Sequence, residues 1–118
     1  MSKVDLPDFE DMMLIAERIR ECMLSKISLD AKIKIMESDT VKKVTTDEKY
    51  FNNGKPPAMN FIEAVYIPAG VDGEIVPLRM ELANAISELE YLKLKFDVMR
   101  MKLEVWKAES FAQKATSL

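Results

Sequence analysis

Histidine is missing from this sequence altogether. Its absence removes the commonest general base and metal ligand. Cys22 is the only cysteine, so no intrachain disulfide can form and no zinc site of ordinary type can be assembled. A chain without disulfides fits a reducing compartment. Three glycines in 118 residues disfavour a turn-rich β fold. Long apolar runs are also lacking. None approaches the length of a membrane span, and "MSKVDLPDFEDMM" is not a signal peptide. The expectation is a cytoplasmic protein with no membrane contact.

The remaining side chains offer little chemistry. Carboxylates are plentiful, but they fall mostly at surface-helix spacing and no pair stands out. Asn53-Gly54-Lys55 resembles a phosphate loop only superficially. It lacks the preceding glycine and the following Ser/Thr, and Pro56 denies a helix start, so it reads as a turn. Cys22 lies on a helical seam between Ile19 and Lys26, which reads as a small buried hydrophobe rather than a reactive thiol. No catalytic, cofactor-binding or metal-binding residue is assigned, and the expectation is a protein that is not an enzyme and carries no cofactor.

What is present is apolar and helical. Apolar residues make up 48% and charged residues 31%, which suits one folded domain spanning residues 1–118. Nine methionines serve as pliable core filler, and Met also suits adaptable binding surfaces. The net charge is −3, unevenly spread. Residues 1–25 carry three basic groups against six acidic ones, and 56–78 carry three acids and no base. Residues 26–55 carry seven lysines (Lys26, Lys32, Lys34, Lys42, Lys43, Lys49, Lys55) against five acids.

The organisation reads as two long helices, at about 6–37 and 77–112, forming an antiparallel helical hairpin or coiled coil around an irregular middle segment. In "DLPD", Asp5 can cap the first helix and Pro7 suits its first turn. Met12, Ile15, Ile19, Cys22, Lys26, Leu29, Ile33 and Met36 form a heptad-like seam, widened by Met13, Ala16, Met23 and Ile27. Ser25 and Ser28 weaken the helix locally, where a kink can form. In the middle, 38–76, Thr45 and Glu48 have capping-box spacing for a short helix at about 46–51. "FIEAVYI" (61–67) is rich in aromatic and β-branched residues. Together with the Asp72-Gly73 turn and residues 74–76, it reads as a small β-hairpin. The segment 113–118 reads as a short flexible tail.

The second long helix carries the strongest pattern. One seam is Leu78, Leu82, Ala85, Leu89, Leu92, Phe96, Met99, Leu103 and Trp106, spaced alternately four and three. A second seam is Tyr91, Leu94, Val98, Met101, Val105, Ala108 and Ala112. From Leu94 on, its members sit two residues after members of the first, and two residues turn a helix by roughly 200°. The two seams therefore face nearly opposite ways. One can bury against the first helix. The other has no evident cover within the chain, and exposed it would make a patch larger than monomers usually tolerate. Self-association through Tyr91, Leu94, Val98, Met101 and Val105 is the expected outcome; the alternative is that the middle segment folds over this face.

Two functions fit this layout. The first is a non-enzymatic helical oligomer that acts as an assembly or adaptor protein, with Tyr50, Phe51, Phe61, Tyr66 and Trp106 as aromatic contact candidates. The second is a single-stranded-DNA-binding oligomer. There Lys42, Lys43, Lys49 and Lys55, beside Tyr50 and Phe51, would supply the basic and aromatic groups. Partners on these readings are a second copy of the chain, another protein, or single-stranded DNA.

A first helix, a long polar middle with a small hairpin, and a long terminal helix make a layout that resembles the small recombination-mediator proteins of tailed phages. The run "NNGKPPAMNFIEAVYIPAGVDGEIVPLR" leading into "ELEYLKLKFDVMRMKLEVWKAES" also resembles short phage reading frames. The resemblance implies a helical oligomer that binds single-stranded DNA and loads a recombinase in the host cytoplasm. It assigns no individual residue.

Overall fold

The computed structural model describes residues 5–117, with side-chain surroundings as far as residue 115. Helix α1 runs over Phe9–Thr46, α2 is the short turn Met59–Phe61 continued by the π-helical turn Ile62–Tyr66, and α3 runs over Val76–Ser117. A 3-10 turn, Glu48–Tyr50, follows α1. The protein is mainly helical, and α1 and α3 pack against each other as the expected hairpin. Packing divides the chain into two compact units. One combines Met1–Met23 with Ile86–Leu118, and the other is Leu24–Ala85.

The first unit is built from the start of α1 and the greater part of α3. Asp8, not Asp5, opens α1: its carboxylate accepts the Glu10 N–H at 2.9 Å and its carbonyl accepts the Met12 N–H at 3.0 Å. The helix thus begins after Pro7, which is buried outside it. Ile15 is the buried centre of the α1 stripe, with Met12, Ile19 and Cys22 half-buried beside it. On α3, Leu89 and Leu92 are buried, and Phe96, Met99, Leu103 and Trp106 are half-buried. Arg18 donates to Glu88 across the two helices at 2.8 Å. Both side chains are largely exposed, so the pair contributes at most about 1 kcal/mol. The widened stripe is narrower than expected, because Met13 and Met23 are exposed. Helix α3 also continues through 113–117, where a flexible tail was expected; Leu118 of that tail, and Met1–Val4 of the stretch read for a signal peptide, lie outside the described residues.

The second unit holds the rest of α1, the middle segment and the start of α3. Helix α1 passes Ser25 and Ser28 without a break and ends nine residues beyond 37. Its buried side extends through Ile33, Thr40 and Val44. The polar residues of that extension satisfy themselves within the helix. The Thr40, Thr45 and Thr46 hydroxyls donate to the carbonyls of Met36, Val41 and Lys42 at 2.8, 2.7 and 2.6 Å. Thr45 is therefore not the cap of the following turn. Asp47 is, with its side chain accepting the Lys49 N–H at 3.1 Å. Ile27, expected to widen the stripe, is exposed.

The expected β-hairpin of 61–67 and 74–76 is absent; no strand occurs among the described residues. The segment 59–66 is helical, and the Ile67 N–H closes its π turn on the Ile62 carbonyl at 3.0 Å. The physical reason is burial. A lone hairpin is marginal in water, whereas a helical turn buries Ile62 completely and leaves Phe61 and Val65 half-exposed. Ile75, expected in the return strand, is instead fully buried just before α3. Arg79 fixes this region. Its Nε donates to the Pro68 carbonyl at 2.7 Å, and its guanidinium reaches the Ile67 carbonyl and the Glu37 carboxylate, each at 2.9 Å. One side chain thereby satisfies carbonyls at the end of the π turn while tying α3 to α1.

Candidate interaction surfaces

Within the first unit, α3 separates its two seams cleanly. The face of Leu89, Leu92, Phe96, Met99, Leu103 and Trp106 is covered. The opposite face is not: Tyr91 is 59% exposed, Leu94 64%, Val98 43%, Met101 65% and Val105 44%. Ala108 and Ala112 continue the exposed line, and Phe111 beside them is also exposed. The helix places them together because their alternating spacing of three and four keeps pace with its 3.6-residue turn. Charged groups flank the line, among them Glu90, Lys95, Asp97, Lys102 and Glu104, all exposed. Asp97 and Glu104 make loose ion pairs with Arg100 and Lys107 on the same helix, at 3.7 and 3.8 Å.

The second unit contains an aromatic pocket of about 450 Å³. Tyr50, Phe61 and Tyr66 form its aromatic wall, and Asn52, Pro56, Pro57 and Ala58 complete the lining. The Tyr66 ring meets both Tyr50 and Phe61 edge-on, each at 5.8 Å between centroids. The π turn makes the Phe61–Tyr66 meeting possible, because its wider winding brings positions five apart onto one side. The Asn53-Gly54 pair makes a tight turn, with φ of 53° and 75°, and Asn52 and Lys55 exchange backbone hydrogen bonds of 2.9 and 3.1 Å across it. These dihedrals suit a type I′ turn, so the reading of Asn53-Gly54-Lys55 as a turn holds.

The six residues expected to contact nucleic acid are only partly gathered. Lys49 lies over the Tyr50 ring, 5.5 Å from its centroid, and Lys55 is exposed at the end of the adjoining turn. Phe51 is half-buried, and its N–H donates to the Glu48 carbonyl at 3.0 Å. Phe61 and Tyr66, rather than Phe51, complete the aromatic wall with Tyr50. Lys42 and Lys43 are exposed on the last turns of α1, where Lys43 borders a second depression with Glu74. Sequence reasoning placed Phe61 and Tyr66 on a strand, where alternation would have sent them to opposite faces.

Glu74 has a distinctly altered acidity. Its own backbone N–H and that of Asp72, which donates to Oε2 at 2.8 Å, hold its carboxyl below the usual value of 4.5. Burial opposes the shift, and the Val71 N–H and Lys43 add smaller contributions to it. Gly70, with φ of 85°, leaves room for this carboxylate: a Cβ there would lie 2.5 Å from the Glu74 Cδ. The carboxylate thus fills its own ring of amide donors and closes the loop before α3.

Among the described residues no group of His, Cys, Asp and Glu could hold a metal ion, and no helix is long and apolar enough to cross a membrane. A larger depression of about 580 Å³ runs past Trp106 and Phe111, but its walls all come from α3, which makes it part of a helix surface rather than a cleft. No family model, curated protein or solved structure matches the chain.

Proposed function

We infer that the protein is a self-associating helical assembly or adaptor protein that works by contact rather than by catalysis. The observation that carries this reading is the uncovered second seam of α3. Leu94 and Met101 are each about as exposed as the charged residues around them, at 64% and 65%. Single exposed apolar residues need no explanation, but a contiguous line of five marks an interaction site. Association would remove this line from water, at roughly 25 cal/mol per Å² of apolar surface. The test is the mass in solution at micromolar concentration, with Val98→Glu/Met101→Glu as the control. The wild type should be larger than a monomer and the double variant monomeric.

A second reading is favoured by the Tyr50–Phe61–Tyr66 wall with Lys49 above it and Lys55 beside it. Aromatic faces with adjacent cations suit unpaired bases, each stacked base contributing about 1–3 kcal/mol. This reading also accords with the resemblance to phage recombination mediators. Its test is a titration of labelled single-stranded oligonucleotide at several salt concentrations. Binding that weakens with salt and is lost in Tyr50→Ala/Tyr66→Ala supports it; no binding at low salt removes it.

A further inference from the structure

The exposed line on α3 has a defined heptad frame. Its first step, from Tyr91 to Leu94, is three residues and its second, to Val98, is four. Tyr91, Val98, Val105 and Ala112 therefore take the a positions, and Leu94, Met101 and Ala108 the d positions. The flanking charges then sort by sign. Glu90, Asp97 and Glu104 fall at g; Lys95 and Lys102 fall at e, followed by Glu109.

We propose that this face takes a second copy of the same chain, with the two α3 helices parallel and in register. The proposal rests on the self-association reading and adds its occupant and direction. In a parallel pair, each g position faces the e position of the next heptad in the partner helix. Glu90 then meets a Lys95 and Asp97 meets a Lys102, twice each by symmetry. An antiparallel pair would set g against g and e against e, so acids would face acids and lysines would face lysines. The seam composition adds the number of strands: in parallel coiled coils, β-branched residues at a with Leu at d favour two, and this seam has Val98 and Val105 at a, with Leu94 and Met101 at d. One position runs against the pattern, because Glu104 faces a Glu109. Lys107 lies 3.8 Å from the Glu104 carboxylate and moderates that repulsion. The symmetric arrangement is closed, with the same patch used on both copies.

The direction is tested by cross-linking the full chain. Leu94→Cys and Val105→Cys are made separately, each with Cys22→Ser so that no native thiol interferes. Parallel, in-register helices bring each engineered thiol against its own copy, so each variant alone should give a disulfide-linked dimer under mild oxidation. Cross-linking only when the two variants are mixed means antiparallel helices. It overturns the proposal and leaves self-association standing. A wild-type chain that is monomeric by light scattering overturns both, and leaves the face to a different partner.

Should neither thiol cross-link in a wild-type-sized oligomer, Lys95→Glu/Lys102→Glu decides. It touches only exposed residues and should weaken association about tenfold, as four exposed ion pairs become repulsions. Adding Glu90→Lys/Asp97→Lys to the same chain should restore it. Affinity that ignores both changes overturns the proposal, because antiparallel helices gain nothing from the exchange.

Discussion

Arg79 and Glu74 show how single residues hold the middle segment in place. Arg79 hydrogen-bonds two carbonyls and a carboxylate with one planar fork. Arg79→Met should therefore lower unfolding free energy by about 1–2 kcal/mol in urea titration, and Arg79→Lys should recover only part of it, since an ammonium cannot reproduce the fork. Gly70→Ala forces a Cβ into a φ of 85° and towards the Glu74 carboxylate. A loss of about 1–2 kcal/mol is expected; no loss would mean that the loop has another conformation. Glu74 adds a pH dependence. Its carboxyl is held below 4.5 in the folded chain, so its contribution is fully present above that value and is lost as pH falls through the lower folded value. The melting temperatures of wild type and Glu74→Gln should differ at neutral pH and converge in acid. Neither the Arg79 contacts nor the Gly70–Glu74 closure was legible in the sequence, because each joins groups through backbone positions that no side-chain pattern encodes.

At the scale of elements, periodicity carried as far as burial is one-sided. The α1 seam from Met12 to Met36 and the first α3 seam are both covered, and the two long helices were legible for that reason. Their ends were less so. Residues 38–46 look polar, yet Thr40 and Val44 continue the buried side and the threonine hydroxyls bond within the helix. The segment 61–67 misled through its β-branched residues, since propensity yields to whichever conformation buries Ile62. Of the expected nucleic-acid contacts, Lys49 and Tyr50 meet, while Phe51 is replaced by two aromatics whose placement depends on a π turn. A pair of substitutions separates the seams. Leu92 is 1% exposed, so Leu92→Ala should cost about 2–5 kcal/mol. Leu94→Ala should instead act through association, with an effect on melting that fades as the protein is diluted.

For the whole molecule, the self-association reading turns on whether the chain is alone in solution. The face of Tyr91, Leu94, Val98, Met101 and Val105 lies opposite the side that α3 buries, so nothing in its own unit needs it for the fold. The most direct measurement is the mass of the protein by light scattering across a concentration series, wild type beside Val98→Glu/Met101→Glu. The account predicts a wild-type mass at least twice that of the 13.5 kDa chain at micromolar concentration, falling on dilution, and a folded monomer for the variant. A wild type that stays at 13.5 kDa throughout would contradict it.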